Sequence, residues 1–403
     1  MLLLIGLLIQ SCTTRDDDDL LSSTEAAPTP RGKLLSTTLI GSYTPSEVCD
    51  LMDTYLPGVI CATFPPTYGV DIYKIIYETM DIRDEVALVS GALIVPKGVN
   101  KLLPIASYQH GTTFSKGNVP SNESTEMLIG LGMAASGGYV VQMPDYLGLG
   151  SSLGLHPYHH ARTEATCVID MLRATKSYCA EQDIPLNGQL FLFGYSQGGH
   201  STMAAHKYIE TYYSDEFTVT ASAPMEGAYD ISGAQTDVLL RGEPYPAPYY
   251  LPYLLFAYNQ VYKMYPTLAD VLKPDYYTQL APIMADNVTY GDGDIDEVMP
   301  DVPIEIMKPE VIEDFKINPN HPFRKALADN DVYKWVPKAP MRMFHCTGDA
   351  HVDFNNAQVA YDYFRAHGAT NVELTIPLEN AGHDVCVLPT LIQGKEWLDS
   401  LKE

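Results

Sequence analysis

The chain has 403 residues, 46% of them apolar, with 29 glycines and 29 prolines, enough to bury a sizeable core in one or a few domains. Fifty acidic residues against 25 basic ones leave a net charge of −25, which repels nucleic acid and anionic lipid surfaces and argues against a nucleic-acid partner. Twenty-eight tyrosines stand against two tryptophans, an unusual aromatic balance.

Leu2 to Ile9 is an apolar run far short of the roughly 20 residues a membrane-spanning helix needs. It leads through Gln10 and Ser11 to Cys12, and residues 1–11 resemble a bacterial lipoprotein signal, although no Lys or Arg precedes the run. The resemblance implies that Cys12 is lipidated and becomes the new N-terminus. Residues 12–32 hold Asp16-Asp17-Asp18-Asp19, several Ser and Thr and two prolines, with little to bury, so they are expected to form a disordered acidic tether. An acidic run after such a cysteine also resembles the surface-export signal of Bacteroidetes-type lipoproteins. The expectation is an exported protein at the outer membrane, touching lipid only through its anchor at Cys12.

From Val86 onward, short β-rich apolar runs alternate with amphipathic stretches, the pattern of a parallel sheet covered by helices. The predicted strands are Val86–Val95, Leu103–Tyr108, Tyr139–Met143, Gln189–Gly194, Phe217–Ala223, Met341–Cys346 and Val372–Pro377. Helices are predicted over Ser124–Ser136, Arg162–Gln182, Gln197–Tyr213, Asn355–Ala366 and near Leu388–Leu401. The rhythm breaks over residues 232–337, which are helix-like and dense in tyrosine (Tyr245, Tyr249, Tyr250, Tyr253, Tyr258). A core in two parts, 33–231 with an N-terminal extension and 338–403, is therefore expected to carry an inserted cap or lid. The tyrosines either line an organic-substrate pocket or glue the insertion to the core.

After Cys12, six cysteines remain, in spacings that fit no zinc pattern. Cys167 and Cys179 share one predicted helix, roughly 18 Å apart, and cannot bond each other.

The most informative stretch is Phe191-Leu192-Phe193-Gly194-Tyr195-Ser196-Gln197-Gly198-Gly199-His200. Gly194-x-Ser196-x-Gly198 is a nucleophile-elbow pattern, with an apolar strand ending at it and a helix-like run beginning there. Ser196 is the candidate nucleophile. A serine needs a base and an orienting acid, found in this arrangement in the chain order Ser, acid, His. Asp349 stands at the carboxyl end of the Met341–Cys346 strand, with Asp353 as its rival. His383 follows Gly382 in the loop after the last strand. Two oxyanion donors are expected: the N–H of Gln197, and the N–H of Thr112, beside Gly111 in the exit of the Leu103–Tyr108 strand.

Together with Tyr108-Gln109-His110-Gly111-Thr112 and Pro144-Asp145-Tyr146-Leu147-Gly148-Leu149-Gly150, these segments resemble the α/β-hydrolase superfamily, more narrowly its secreted lipase and esterase branch. The resemblance covers about 86–229 and 339–403. It implies an α/β-hydrolase fold: a mostly parallel central sheet flanked by helices, with a largely helical cap inserted between late strands. In such hydrolases the Pro-Asp-Tyr segment is a turn scaffold, which gives Asp145 a structural role. If the acid and histidine loops touch, as a triad demands, Cys346 and Cys386 lie close enough to pair; otherwise both are free buried thiols.

The implied activity is a serine hydrolase acting on carboxylic esters, small or lipid-like, through an acyl-enzyme, with no cofactor. One alternative is a serine aminopeptidase or dipeptidyl-peptidase-like enzyme of the same superfamily, its acidic cap holding a substrate ammonium. A remoter one is a surface lipoprotein that only binds. The Asp292-Gly293-Asp294-Ile295-Asp296 run departs from a calcium loop at Glu297 and Pro303 and reads as a surface turn, so no metal site is expected.

Overall fold

The computed structural model describes residues 31–54 and 60–403. The expected signal segment, Cys12 and the tether up to residue 30 lie outside the described residues.

Nine strands among the described residues form a single mixed sheet: β1 (Leu34–Tyr43), β2 (Gly69–Met80), β3 (Val86–Lys97), β4 (Leu103–Gln109), β5 (Val140–Pro144), β6 (Leu186–Tyr195), β7 (Ala221–Met225), β8 (Met341–Phe344) and β9 (Val372–Thr375). Their order is β1-β2-β3-β5-β4-β6-β7-β8-β9. The first four pair antiparallel, and every pair from β5 and β4 onward is parallel. Parallel neighbours need crossovers, and helices supply most of them.

The period-two pattern of β6 shows how the sheet is covered. Phe191 and Phe193 point to the face packed by the helices Met127–Gly137 and His383–Ser400. Leu190 and Leu192 point to the other, beneath the helices Ala161–Glu181 and Gln197–Tyr212. Each such side chain removed from water stabilises the fold by about 1.5–3 kcal/mol. Both faces are therefore dry, and the ends of the parallel strands are where chemistry meets solvent.

Three departures from expectation have local causes. β1 and β2 precede Val86 and carry no clean alternation: the middle of β1 is largely exposed, because it is the sheet's edge. The β7 strand starts at Ala221 rather than Phe217; the Phe217 ring is buried in the loop ahead of it, with Lys176 Nζ 4.2 Å from its centroid. The last helix begins at His383, ahead of the expected Leu388, and contains Pro389. Proline reads as a breaker in sequence. Here the first turn is already closed by Cys386 N–H donating to the Gly382 carbonyl at 3.0 Å.

Between β7 and β8 the chain is mainly helical, from Ile231–Gln235 through Thr236–Leu240, Tyr250–Tyr262, Pro274–Met284, Pro309–Ile317 and Pro322–Asp329, with one isolated antiparallel bridge between Leu272 and Met307. This segment has its own apolar cluster, including Leu255, Leu280, Ile306, Phe315 and Phe323. The Asp292–Asp296 run is a short helix and not a free surface turn: Asp292 Oδ1 accepts the Phe114 N–H at 2.6 Å and Asp296 Oδ1 the Tyr249 N–H at 3.2 Å.

Candidate active site

β6 delivers Ser196 onto a backbone that few residues adopt, with φ 60° and ψ −121°. Such a conformation costs about 1–3 kcal/mol and persists only where its surroundings enforce it. Its N–H donates to the Met225 carbonyl at 2.9 Å, and its carbonyl accepts from Gly199 at 2.8 Å and His200 at 3.3 Å. Glycine is required at both flanks. A Cβ on Gly198 would run into the Gln109 carbonyl oxygen, and one on Gly194 would sit 2.6 Å from the same atom. The turn therefore holds the serine at the carboxyl edge of the sheet, at the N-terminus of the helix Gln197–Tyr212.

Asp349 lies in the exit loop of β8. Its Oδ1 accepts the N–H groups of His351 and Val352 at 2.8 and 2.9 Å, which fixes the carboxylate. Its Oδ2 lies 2.6 Å from His383 Nδ1. Burial works to raise the Asp349 carboxyl, but the contacts with His345 and His383, and the charge His383 can carry, hold it below the ordinary carboxylate range. The acid and histidine loops do touch: Asn380 N–H donates to Thr347 Oγ1 at 2.8 Å, and a disulfide joins Cys346 to Cys386 with their Cα atoms 6.2 Å apart. A second disulfide, Cys49–Cys61, lies in the N-terminal extension, while Cys167 and Cys179 are free and buried. Asp353 is engaged elsewhere, with Arg241 at 2.8 Å and with the N–H of Asn355.

The nucleophile and histidine segments are stitched together through Tyr195. Its hydroxyl donates to the His383 carbonyl at 2.6 Å, and its ring centroid lies 5.1 Å from the imidazole's. The His351 ring stacks on His383 at 4.9 Å and 11°.

The loop after β4 is clamped at almost every residue. Gly111 N–H donates to Glu126, which also accepts the Tyr108 hydroxyl at 2.6 Å. The Thr113 carbonyl accepts from Tyr253, and Thr112 Oγ1 lies 3.0 Å from the Tyr158 hydroxyl. Gly111 is close to the serine: a Cβ built on it would lie 3.9 Å from Ser196 Cβ. Neither the Thr112 nor the Gln197 backbone N–H has an acceptor among the described residues.

Sequence reasoning missed the polar chain that holds Gln197. The Gln197 Nε2 donates to Glu164 Oε1 at 2.8 Å and lies 2.6 Å from His156 Nε2. The other Glu164 oxygen meets His200 Nδ1 at 2.7 Å, and His200 Nε2 faces the Asn330 carbonyl at 3.0 Å. Burial pushes His156 down to about 4, so that ring is neutral and can accept from the amide. Nothing in spacing marks Glu164, which reads as one polar residue on a long helix. Asp145 is structural as expected, accepting from Ser90 Oγ at 2.5 Å and from the Ser121 N–H at 3.0 Å.

Ser196 sits in the wall of a cavity of about 830 Å³, counting its open mouth, that runs into the β7–β8 insertion. Its lining is mainly apolar, with Leu239, Leu251, Leu254 and Phe323 among the contributors and Tyr158 and Tyr250 near the serine end. A concave apolar pocket with few polar groups suits an organic substrate.

This fold and site define an α/β-hydrolase and carboxylic ester hydrolase. The chain belongs to the secretory lipase family, whose description matches residues 121–399. A Legionella pneumophila protein is similar at 27% identity and a TM-score of 0.84, covering 92% of this chain and 98% of its own. The rice cell wall degrading esterase LipA from Xanthomonas oryzae is also 27% identical, with a TM-score of 0.77 and coverage of 93% and 98%. Candida antarctica lipase A, at 16% identity, shares the fold with a TM-score of 0.70 over 92% of this chain and 82% of that one. No curated protein matches by sequence.

Proposed function

We propose that ester cleavage runs through Ser196, His383 and Asp349. Ser196 Oγ attacks the ester carbonyl while His383 Nε2 takes its proton, and Asp349 holds the ring through Nδ1 and offsets the charge that develops. The N–H groups of Gln197 and Thr112 receive the oxyanion, and the adduct collapses as the alcohol leaves with the proton held by His383. Water, giving its proton to the same imidazole, then attacks the acyl-serine; the acid departs and the proton returns to Ser196 Oγ. The observation that carries this reading is the 2.6 Å Asp349–His383 contact, made by loops clamped to a strained serine turn. The Ile231–Asp329 segment serves as a cap whose apolar interior takes the acyl chain. That lining favours an ester over an aminopeptidase substrate, whose ammonium would need a carboxylate partner deep in the pocket; the carboxylate that does line the cavity, Glu243, is solvent-exposed.

Full-length protein should turn over p-nitrophenyl butyrate and leave aminoacyl-anilides intact, and Ser196→Ala should abolish turnover without lowering Tm. Anilide turnover without ester turnover would sink the choice of substrate; an active Ser196→Ala protein would sink the nucleophile. We also propose export as a lipoprotein anchored at Cys12, supported by the apolar run Leu2–Ile9 just ahead of that cysteine and, for export alone, by the secretory family. Radiolabelled palmitate should enter the protein in cells and be lost in Cys12→Ala.

A further inference from the structure

Behind the Asp349–His383 pair lies a second carboxyl group. Glu226 follows β7 with φ 49°, is fully buried, and its Oε1 accepts the Cys346 N–H at 2.7 Å beside the Cys346–Cys386 disulfide. Its Oε2 meets no donor of its own. His345 Nε2 lies 3.1 Å away, but that nitrogen is 2.9 Å from the Val352 carbonyl, which can only accept its hydrogen. Side-chain donor atoms of Glu226, Asp349 and His383 all lie within 4.8 Å of one another. The titratable groups facing Glu226 are Asp349, His345, His383, Tyr195 and Tyr229; among the described residues no Lys or Arg pairs with it.

Two carboxyl groups this close in a dry site do not both ionise. Asp349 is the one equipped for charge, with two backbone N–H groups and an imidazole on its oxygens. Glu226 has one N–H. Burial first, then the neighbouring Asp349, pushes Glu226 up to about 11.

We infer, on the reading that Asp349 orients His383, that Glu226 is a positioning residue: an un-ionised carboxylic acid whose O–H donates to the Asp349 carboxylate. The bond steadies Asp349 from behind and keeps a single negative charge next to the imidazole. A more concentrated charge there would favour the imidazolium and raise the pH below which the base is already protonated. The left-handed backbone at position 226 is a strained place for a non-glycine residue, which fits a side chain retained for its contacts.

The test uses the full-length enzyme, with active sites counted by a p-nitrophenyl phosphonate so that only folded protein enters kcat. Glu226→Gln keeps a donor for Asp349 and an acceptor for the Cys346 N–H, and should retain the wild-type kcat and acid limb. Glu226→Ala should lose about tenfold in kcat per titrated site at unchanged KM, the worth of one hydrogen bond to a charged group. Its acid limb of kcat/KM should move to higher pH. The infrared difference between wild type and Glu226→Gln should show the carbonyl stretch of a protonated carboxylic acid at neutral pH. Absence of that band, or a Glu226→Ala enzyme with wild-type kcat and acid limb, overturns the assignment. Ser196→Ala in the same series separates the failures: turnover surviving there removes the triad reading itself, whereas an inactive Ser196→Ala beside an unaltered Glu226→Ala removes only the role of Glu226.

Discussion

In the sheet, apolar side chains alternate every second residue and find helices on both faces; in the Ile231–Asp329 insertion they gather into one cluster that also takes in Phe114, Tyr158 and Val352 of the core. The two regions also use polar groups differently. Around β4, β6 and β8, buried or half-buried carboxylates accept backbone N–H groups, as half-buried Glu126 does from Gly111 and buried Asp349 from His351 and Val352. In the insertion, tyrosines reach outward to the core's carbonyls: Tyr253 donates to Thr113 at 3.1 Å and Tyr258 to His159 at 3.0 Å. The core thus holds the charge and geometry of the candidate site, and the insertion offers apolar volume, fastened by tyrosine hydroxyls together with Asp292 and the Arg241–Asp353 pair. Both readings of the tyrosines apply. Tyr245 and Tyr250 line the cavity, whereas Tyr253 and Tyr258 are fully buried fasteners.

The largest effect should come from the charged side of this contrast. Asp349→Asn should lower kcat by about 10⁴-fold with little change in Tm, because the ring loses its orienting anion. Asp353→Asn should leave kcat near that of the parent; the reverse ranking in steady-state assays would exchange the two roles. A core substitution comes next. Phe191→Ala should cost about 3–5 kcal/mol in denaturant unfolding. Tyr253→Phe, which keeps the ring and removes one bond to the core, should cost about 1 kcal/mol. Equal losses at the two sites would mean that the insertion is as tightly integrated as the sheet.

Opening the Cys346–Cys386 bridge by replacing both cysteines with alanine should cost roughly 2–4 kcal/mol. Activity should fall with it, since the bridge ties the Asp349 and His383 loops. The Cys49–Cys61 bridge spans 12 residues against 40 and lies away from the site, so its removal should lower Tm and spare kcat.

The smallest effect is a pH slope. Burial lowers His156 and His160 from 6.5 to about 4 and His159 to about 3. The unfolded chain therefore binds protons near pH 6.5 that the folded chain refuses, and stability is full above that pH. Tm should decline as pH falls from about 6.5 toward 4, with a shallower decline in His160→Gln, measured by calorimetry. A flat profile would mean that these rings are solvated.

Much of the candidate site is legible in the sequence. Gly194, Ser196 and Gly198 announce their turn because a tight strand-to-helix junction tolerates little else, and Asp349 and Gly382-His383 stand at strand exits that periodicity locates. Glu164 and Glu226 were not readable. Each is a single carboxyl residue in an ordinary-looking segment, and its meaning lies in partners far along the chain, such as Gln197 and His200 for the first and Cys346 and Asp349 for the second. β1 escaped notice for a related reason: an edge strand packs too little for alternation to be imposed on it.

Local chain chemistry alone determined the alternating core, the serine turn and the place of the insertion, because backbone sterics and the burial of one face act over a few residues. Tertiary structure decided which carboxylate meets which histidine, which tyrosines fasten and which line the pocket, and which of two neighbouring carboxyls keeps its proton. Those outcomes depend on distances and desolvation between segments that lie from 34 to 140 residues apart, as for Asp349 with His383 and Thr113 with Tyr253, and no short stretch of sequence encodes them.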